Sequence, residues 1–289
     1  MIDAKSVAEL RSKTGAGMMD CKKALTESNG DLEKAIDYLR EKGIAKAAKK
    51  ESRIAAEGLA NIFTSGNKAV ILEVNSETDF VSKNAEFTDM IKEIGEAVLN
   101  SEAKTLEETL LLPSSEGTIA DLIVAKTSKI GEKLSLRRLE VVEKTDTQNF
   151  GAYLHMGGKI AVLTLLEGAN SDVAKDVAMQ AAAMRPEYLK EEDIDADRIE
   201  RERKVFTEQA INEGKPADIA AKMVEGRLKK FFKEICLLDE PFIKDGDVDV
   251  KTYVKNNGGE VLKMVRYEVG EGMEHRNDNF AEEVMNQIK

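Results

Sequence analysis

Histidine and cysteine are scarce in this chain, and their scarcity removes most of the chemistry that a protein of this size could carry. Among 289 residues there are two cysteines and two histidines. Cys21 and Cys236 stand in no pair spacing, so neither a disulfide framework nor a cysteine-based metal site can be read, and a reducing cytoplasm is the expected compartment. A positive charge balance is missing as well: 54 acidic residues face 43 Lys and Arg, a net charge of -11. Broad nucleic-acid binding needs a cationic surface that displaces counterions from phosphates, so direct nucleic-acid partners are not expected. No apolar run reaches the roughly 18 residues of a membrane span, and Met1 to Lys5 lacks the basic and then apolar layout of a signal peptide. No HExxH, CxxC or GxGxxG is present. Gly157-Gly158-Lys159 hints at a phosphate cradle, but P-loop spacing requires a glycine where Tyr153 stands and a hydroxyl where Ile160 stands. The expectation is a soluble cytoplasmic protein with no membrane partner and a thin catalytic inventory.

What is present is enough hydrophobic sequence, 42%, to build real cores over about two domains. The first 43 residues read as three short helices. Ser6 and Glu9 form a capping-box pattern opening a helix through Val7 and Leu10, which Gly15 and Gly17 end. Met18, Cys21, Ala24 and Leu25 make the inner stripe of a second helix, and a third begins near Asp31 and stops at Gly43. The turn at Met18 and Met19 is the candidate contact surface of this small unit, against the plainer reading that both methionines close its core. Ile44 to Gly58 reads as a basic helical connector.

A repeat follows. Two hairpins, Leu59–Thr64 with Lys68–Val74 and Phe150–Met156 with Lys159–Leu166, superpose at one offset, Gly66, Lys68, Val70, Leu72 and Val74 falling on Gly157, Lys159, Ala161, Leu163 and Leu165. Each half then closes with a further strand, at Arg138–Val141 and at Arg266–Val269. The second half is longer by about 37 residues, and an antiparallel helical hairpin accounts for them. Ile199, Val205, Phe206 and Ala210 line its first helix, and Ile219, Met223, Val224, Leu228, Phe231 and Ile235 its return. Its role is structural, docking or self-association, all three remaining open. Phe280, Val284 and Ile288 mark a short terminal helix. The expected fold is therefore α+β: a three-helix N-terminal domain and linker over residues 1–53, a duplicated core with antiparallel sheets over 54–144 and 145–270, the hairpin inserted at about 190–236, and a helical module over 271–289.

The stretch Asn75–Asn84 connects a strand pattern to a helix pattern carrying Phe87, Ile91, Ile94 and Val98. Phe80, set in this polar loop beside Asp79, either tucks under the following helix or is offered to a partner. Glu77 with Asp79, or His155 with a distant acid, could be imagined in acid-base work; loop capping and ordinary strand-end hydrogen bonding are the default readings.

The run Val74-Asn-Ser-Glu-Thr-Asp-Phe-Val-Ser-Lys-Asn84 resembles the signature of the bacterial elongation factor Ts family. The likeness extends to Leu10–Leu25, Asn29–Ala35, Leu39–Gly43, His155–Val162, Gly214–Pro216, Lys222–Arg227 and Arg266–Gly272, in order along nearly the whole chain. Ser82 stands where family members often have alanine. The resemblance implies a guanine-nucleotide exchange factor, not an enzyme, whose partner is the GTPase elongation factor Tu, with no cofactor and no metal of its own. It implies a ubiquitin-associated-like N-terminal domain, a two-subdomain core, a coiled-coil arm and a C-terminal module. Thr78, Asp79, Phe80 and Val81 match the segment that displaces magnesium and GDP, the Phe80 ring wedging between helices of the GTPase while Val81 packs inward. Met18, Met19, His155 and Met156 fall at docking positions. A hydrolase, and a passive adaptor or holdase without exchange activity, are the competing classes.

Overall fold

The computed structural model describes residues 2–214 and 216–274, the side chain of Ala217 excepted. The terminal helix expected from Phe280, Val284 and Ile288, and His275, lie outside the described residues. The architecture is mixed helix and antiparallel sheet, as expected.

Three helices open the chain: α1 (Ala4–Thr14), α2 (Met18–Glu27) and α3 (Leu32–Ala48). Their common core is Val7, Leu10, Cys21, Ala24, Leu25 and Ala35. Three local expectations are corrected here. The cap of α1 is Asp3, whose carboxylate accepts from the Ser6 N–H at 2.7 Å, so Ser6 lies inside the first turn and no Ser6–Glu9 box forms. The apolar stripe of α2 starts at Cys21; Met18, in the first turn, is 59% exposed. And α3 runs through Gly43 to Ala48, after which the chain turns, so Ile44 to Gly58 is not a helical connector. A glycine in a helix is only about 1 kcal/mol worse than alanine, a weak stop when tertiary contacts reward continuation, and at Gly43 the helix lies against Ser128, whose hydroxyl is 3.4 Å from where a Cβ would stand.

The core contains two three-stranded antiparallel sheets of the same plan. β1 (Glu57–Ser65) and β2 (Lys68–Ser76) form a hairpin closed by Gly66 and Asn67. A 3-10 turn (Val81–Lys83), α4 (Ala85–Leu99), α5 (Leu106–Leu110), the short pair β3 (Pro113–Ser114) and β4 (Gly117–Thr118), and α6 (Ile119–Ile130) follow before β5 (Ser135–Glu143) returns to the other side of β2. In the second half β6 (Gln148–His155) and β7 (Ile160–Glu167) form the hairpin, α7 (Ser171–Met184) covers it, and β10 (Glu260–Glu268) pairs with the far side of β7. Between them lie the arm helices α8 (Ala196–Asn212) and α9 (Ala217–Ile235), the short pair β8 (Pro241–Phe242) and β9 (Asp245–Asp249), and α10 (Val250–Asn256).

The alternation of the central strands dictates four layers. From β2, Val70, Leu72 and Val74 meet α4 and α6 in one core, while Ala69 and Ile71 meet Ala161, Leu163 and Leu165 of β7 in the core between the sheets. From β7, Val162 and Leu166 meet α7 and α10. Both faces of each central strand are therefore covered, which is why these two segments read as nearly unbroken apolar runs.

A buried ionic clasp joins the halves. Glu73 of β2, with no exposed surface, accepts from Arg138 Nε at 2.6 Å, Arg137 Nη1 at 3.0 Å, Asn75 at 3.0 Å and the Gly270 N–H at 2.9 Å. Burial alone would raise its pKa; the Gly270 and Asn75 hydrogen bonds and the Arg138 and Arg137 cations outweigh it and hold it below the usual value.

In the arm, Ala210, Ala220, Val224, Leu228 and Ile235 are buried in the seam, with Phe206 edge-on to Phe231 at 6.4 Å. Val205 and Ile219, expected in the seam, are exposed, because the helices meet on the face that carries Ala210 and Ala220 and small residues let them approach closely. Among the described residues no helix is long and apolar enough to cross a membrane.

Candidate functional site

The loop after β2 is built to hold one aromatic ring away from the protein. Its base is fixed from three sides. The Glu77 carboxylate receives Arg53 Nη1 at 3.3 Å and the Lys133 N–H at 2.6 Å. Thr78 donates its N–H and its hydroxyl to Glu132, at 2.9 and 2.6 Å. Ser76 donates its hydroxyl to the Thr78 carbonyl at 2.9 Å. Its far side is closed by the Ser82 hydroxyl donating to the Asp79 carbonyl at 2.6 Å, and by Asn84, which caps α4 by accepting from the Glu86 N–H at 2.9 Å. Val81 anchors the middle: it is 5% exposed and belongs to the core of Val74, Phe87 and Met90. Phe80, one residue earlier, is 83% exposed. Asp79 is also exposed, and its carboxylate makes no hydrogen bond or ion pair among the described residues. Glu77 is thus a structural brace for the loop, which removes it from any acid-base pair with Asp79.

The second candidate element is the β6–β7 turn. Met156, Gly157 and Gly158 all take positive φ, at 49°, 67° and 99°. The Gly158 carbonyl accepts from the Ala60 N–H at 2.8 Å, and a Cβ on Gly158 would come within 2.8 Å of the Ala60 carbonyl oxygen, so only glycine fits. Lys159 bridges to Glu57 at 2.5 Å. Met156 is left 74% exposed beside an exposed His155, whose Nδ1 lies 3.3 Å from the Tyr153 hydroxyl with the two rings stacked. Glu57 pairs with Ser76 across the first hairpin, so this turn rests on the strand end from which the Phe80 loop departs.

The third element, the α1–α2 turn, connects to the same loop from the opposite direction. Glu86, in the first turn of α4, receives Lys126 at 2.5 Å and Lys129 at 2.6 Å, and these hydrogen bonds pull its pKa down to about 2. The Lys129 ammonium also reaches Gly15, where a Cβ would lie 2.7 Å from Nζ. Two residues past Gly17, Met19 is 74% exposed. A continuous line of contacts therefore runs from the Met18–Met19 turn through Lys129 and Glu86 to the Phe80 loop, and on through Ser76 and Glu57 to the His155–Met156 turn.

The model of the family described as Elongation factor TS matches residues 77–271, from the brace residue Glu77 to Glu271 beyond the last strand. The chain belongs to this family. Elongation factor Ts proteins are translation elongation factors, and the match takes in the Phe80 loop, β5 of the first sheet, the whole second sheet and the arm, while the α1–α2 turn and the β1–β2 hairpin lie before it.

All eight residues singled out from sequence have a defined place. Phe80, Asp79, Met18, Met19, His155 and Met156 face outward; Val81 is in the core; Thr78 is half-buried on Glu132. Sequence reading missed Arg53, Glu132 and Lys133, which hold the loop. No periodicity or motif connects them to it, since they come from the turn after α3 and the α6–β5 connection and meet Glu77 and Thr78 only in three dimensions.

Proposed function

We propose that this chain is the guanine-nucleotide exchange factor of the GTPase elongation factor Tu, in the cytoplasm, and that it promotes GDP release by disturbing the partner's magnesium and phosphate site. One observation carries the reading: a phenylalanine displayed almost bare at the tip of a loop whose neighbours on both sides are fixed by buried or charge-assisted contacts. A side chain of this kind contributes nothing to its own fold and is preorganised to enter another protein. Asp79 and Phe80 supply the intruding pair, Val81 and Thr78 their footing, and Met18, Met19, His155 and Met156 the docking contacts on either side.

The physics is linkage. A factor that prefers the nucleotide-free state of its partner weakens GDP by the same ratio. Each tenfold change takes about 1.4 kcal/mol of differential contact, and one buried phenylalanine supplies roughly 1.5 to 3 kcal/mol, so Phe80 alone accounts for about one to two decades. The flanking patches must provide the rest by holding the ring in place. No bond is made or broken in this mechanism, and nucleotide and magnesium belong to the partner.

The test is release of fluorescent GDP from elongation factor Tu with and without the chain. Accelerated release is expected. Binding without acceleration would instead identify a passive adaptor or holdase, and turnover of a substrate in the absence of any GTPase would identify an enzyme.

A further inference from the structure

The sulfur of this protein is distributed unevenly between inside and outside. Cys21 and Cys236 are both fully buried and so closed to an oxidant in solution, and burial together with nearby carboxylates pushes the Cys236 thiol up to about 12. The chain has 11 methionines and no tryptophan. Among the described residues the exposed methionines are Met18, Met19, Met156 and Met184. Three of these four are the apolar tips of the two docking patches, and nothing in their own fold requires a thioether there: Met18 and Met19 stand outside the three-helix core, and Met156 projects from a glycine turn. Leucine would supply comparable apolar surface without the reactive atom.

We propose that Met18, Met19 and Met156 form an oxidant-sensitive site, at which conversion of the thioethers to sulfoxides by a hydroperoxide weakens docking on the GTPase and enzymatic reduction restores it. The inference rests on the docking reading given above. In the step, a sulfur lone pair attacks the terminal peroxide oxygen, an S–O bond forms as the O–O bond breaks, and the leaving oxygen takes up the proton and departs as water or alcohol. Sulfur is oxidised by two electrons and the peroxide is reduced by two. The product carries a strong S–O dipole on a side chain that was apolar, and docking would then have to strip water from it. Met184, exposed at the end of α7 and outside both patches, is the internal control.

The experiment treats the full-length chain with graded hydrogen peroxide, removes the oxidant with catalase, maps the added oxygens by peptide mass spectrometry, and measures GDP release from untreated elongation factor Tu at sub-saturating chain. Release is expected to slow about tenfold in step with oxygen at Met18, Met19 and Met156. Methionine sulfoxide reductases A and B should restore it, and circular dichroism should show the fold unchanged. A variant carrying Met18→Leu, Met19→Leu and Met156→Leu should keep its own untreated rate after the same treatment. Full oxygen incorporation at the three positions with no loss of rate, or an equal loss in the leucine variant, would overturn the proposal. Met18→Gln, Met19→Gln and Met156→Gln, used without oxidant, separate the two layers. If that variant is as fast as wild type, the docking reading fails and the proposal with it. If it is slow while the oxidised wild type is not, the oxidation step alone fails.

Discussion

Glu240 is a carboxyl group in the wrong surroundings, and replacing it with glutamine should stabilise the protein in a pH-dependent way. It follows the arm in sequence, is 1% exposed, and has one real partner: Gln180 Nε2 donates to Oε2 at 2.9 Å, while Oε1 has none among the described residues. Burial raises its pKa from 4.5 to about 7, against the smaller pull of Gln180. The sign follows from proton binding. The folded state holds the proton more tightly than the unfolded chain, so the contribution is fully present below pH 4.5 and is lost as pH rises to about 7. A shift of this size amounts to about 3 kcal/mol above pH 7, of which about 2 to 3 kcal/mol is lost between pH 5 and pH 8. In Glu240→Gln the amide oxygen can still accept from Gln180, and the charge is gone. Its unpartnered amide hydrogens cost about 1 kcal/mol, so the variant should exceed wild type by about 2 kcal/mol at pH 8 and lose that lead at pH 5. The assay is urea unfolding of both proteins at the two pH values, followed by far-UV circular dichroism. Other carboxylates titrate equally in both chains and cancel in the difference. A gap between variant and wild type that is the same at pH 5 and pH 8 would refute the argument.

Phe80→Ala should slow GDP release by about ten- to hundredfold, the burial of one phenyl ring, with an unchanged denaturant midpoint because the ring is outside the fold. Val81→Ala should do the reverse first, lowering stability by about 2 kcal/mol through the cavity it leaves beside Phe87. Glu73→Ala should cost about 3 kcal/mol in urea unfolding, since it leaves the buried Gly270 N–H unpaired and takes the carboxylate from Arg137 and Arg138, which keep their contacts to Glu268 and Glu271. Because the Glu73 pKa is lowered, wild type should also lose this stabilisation as pH falls below 4.5, and the acid-side slope should flatten in the variant. Gly151→Ala should be destabilising by about 3 kcal/mol or more, as its Cβ would sit 2.0 Å from the Ala174 carbonyl oxygen of α7.

What could be read from sequence was whatever repeats with a period. The stripes of α4 and the alternation of β2 and β7 come from one face meeting one core, so Phe87, Ile91, Ile94, Val70 and Leu72 announce themselves. The duplicated sheet plan was legible for the same reason. Features decided by a single contact were not. Asp3 outcompetes Ser6 as a cap, α3 continues through Gly43 where it lies against Ser128, and Val205 and Ile219 turn out of the arm seam that Ala210 and Ala220 occupy. At the candidate site the division is sharpest. Asp79 and Phe80 stand out as an acid and an aromatic in a polar loop, whereas Glu132 and Arg53, which position that loop, look like any two charges on a charged surface.

That division bears on how the loop acts. A ring on a floppy loop would lose much of its binding energy in ordering, about 1 to 2 kcal/mol for each backbone residue fixed. Over Thr78, Asp79 and Phe80 that loss, about 3 to 6 kcal/mol, would match or exceed the roughly 1.5 to 3 kcal/mol that burying the ring can return. The Glu132, Arg53 and Lys133 contacts make the loop meet that cost during folding of this chain, before any partner arrives. The consequence is testable at a distance from the interface. Glu132→Ala leaves Phe80 and every docking residue in place, yet it frees the Thr78 N–H and hydroxyl; it should slow GDP release by about tenfold while leaving Phe80 just as exposed. Hydrogen exchange at the Thr78 amide would rise in parallel. Faster exchange at Thr78 with undiminished GDP release would mean that the loop is ordered by the partner and not by its own braces.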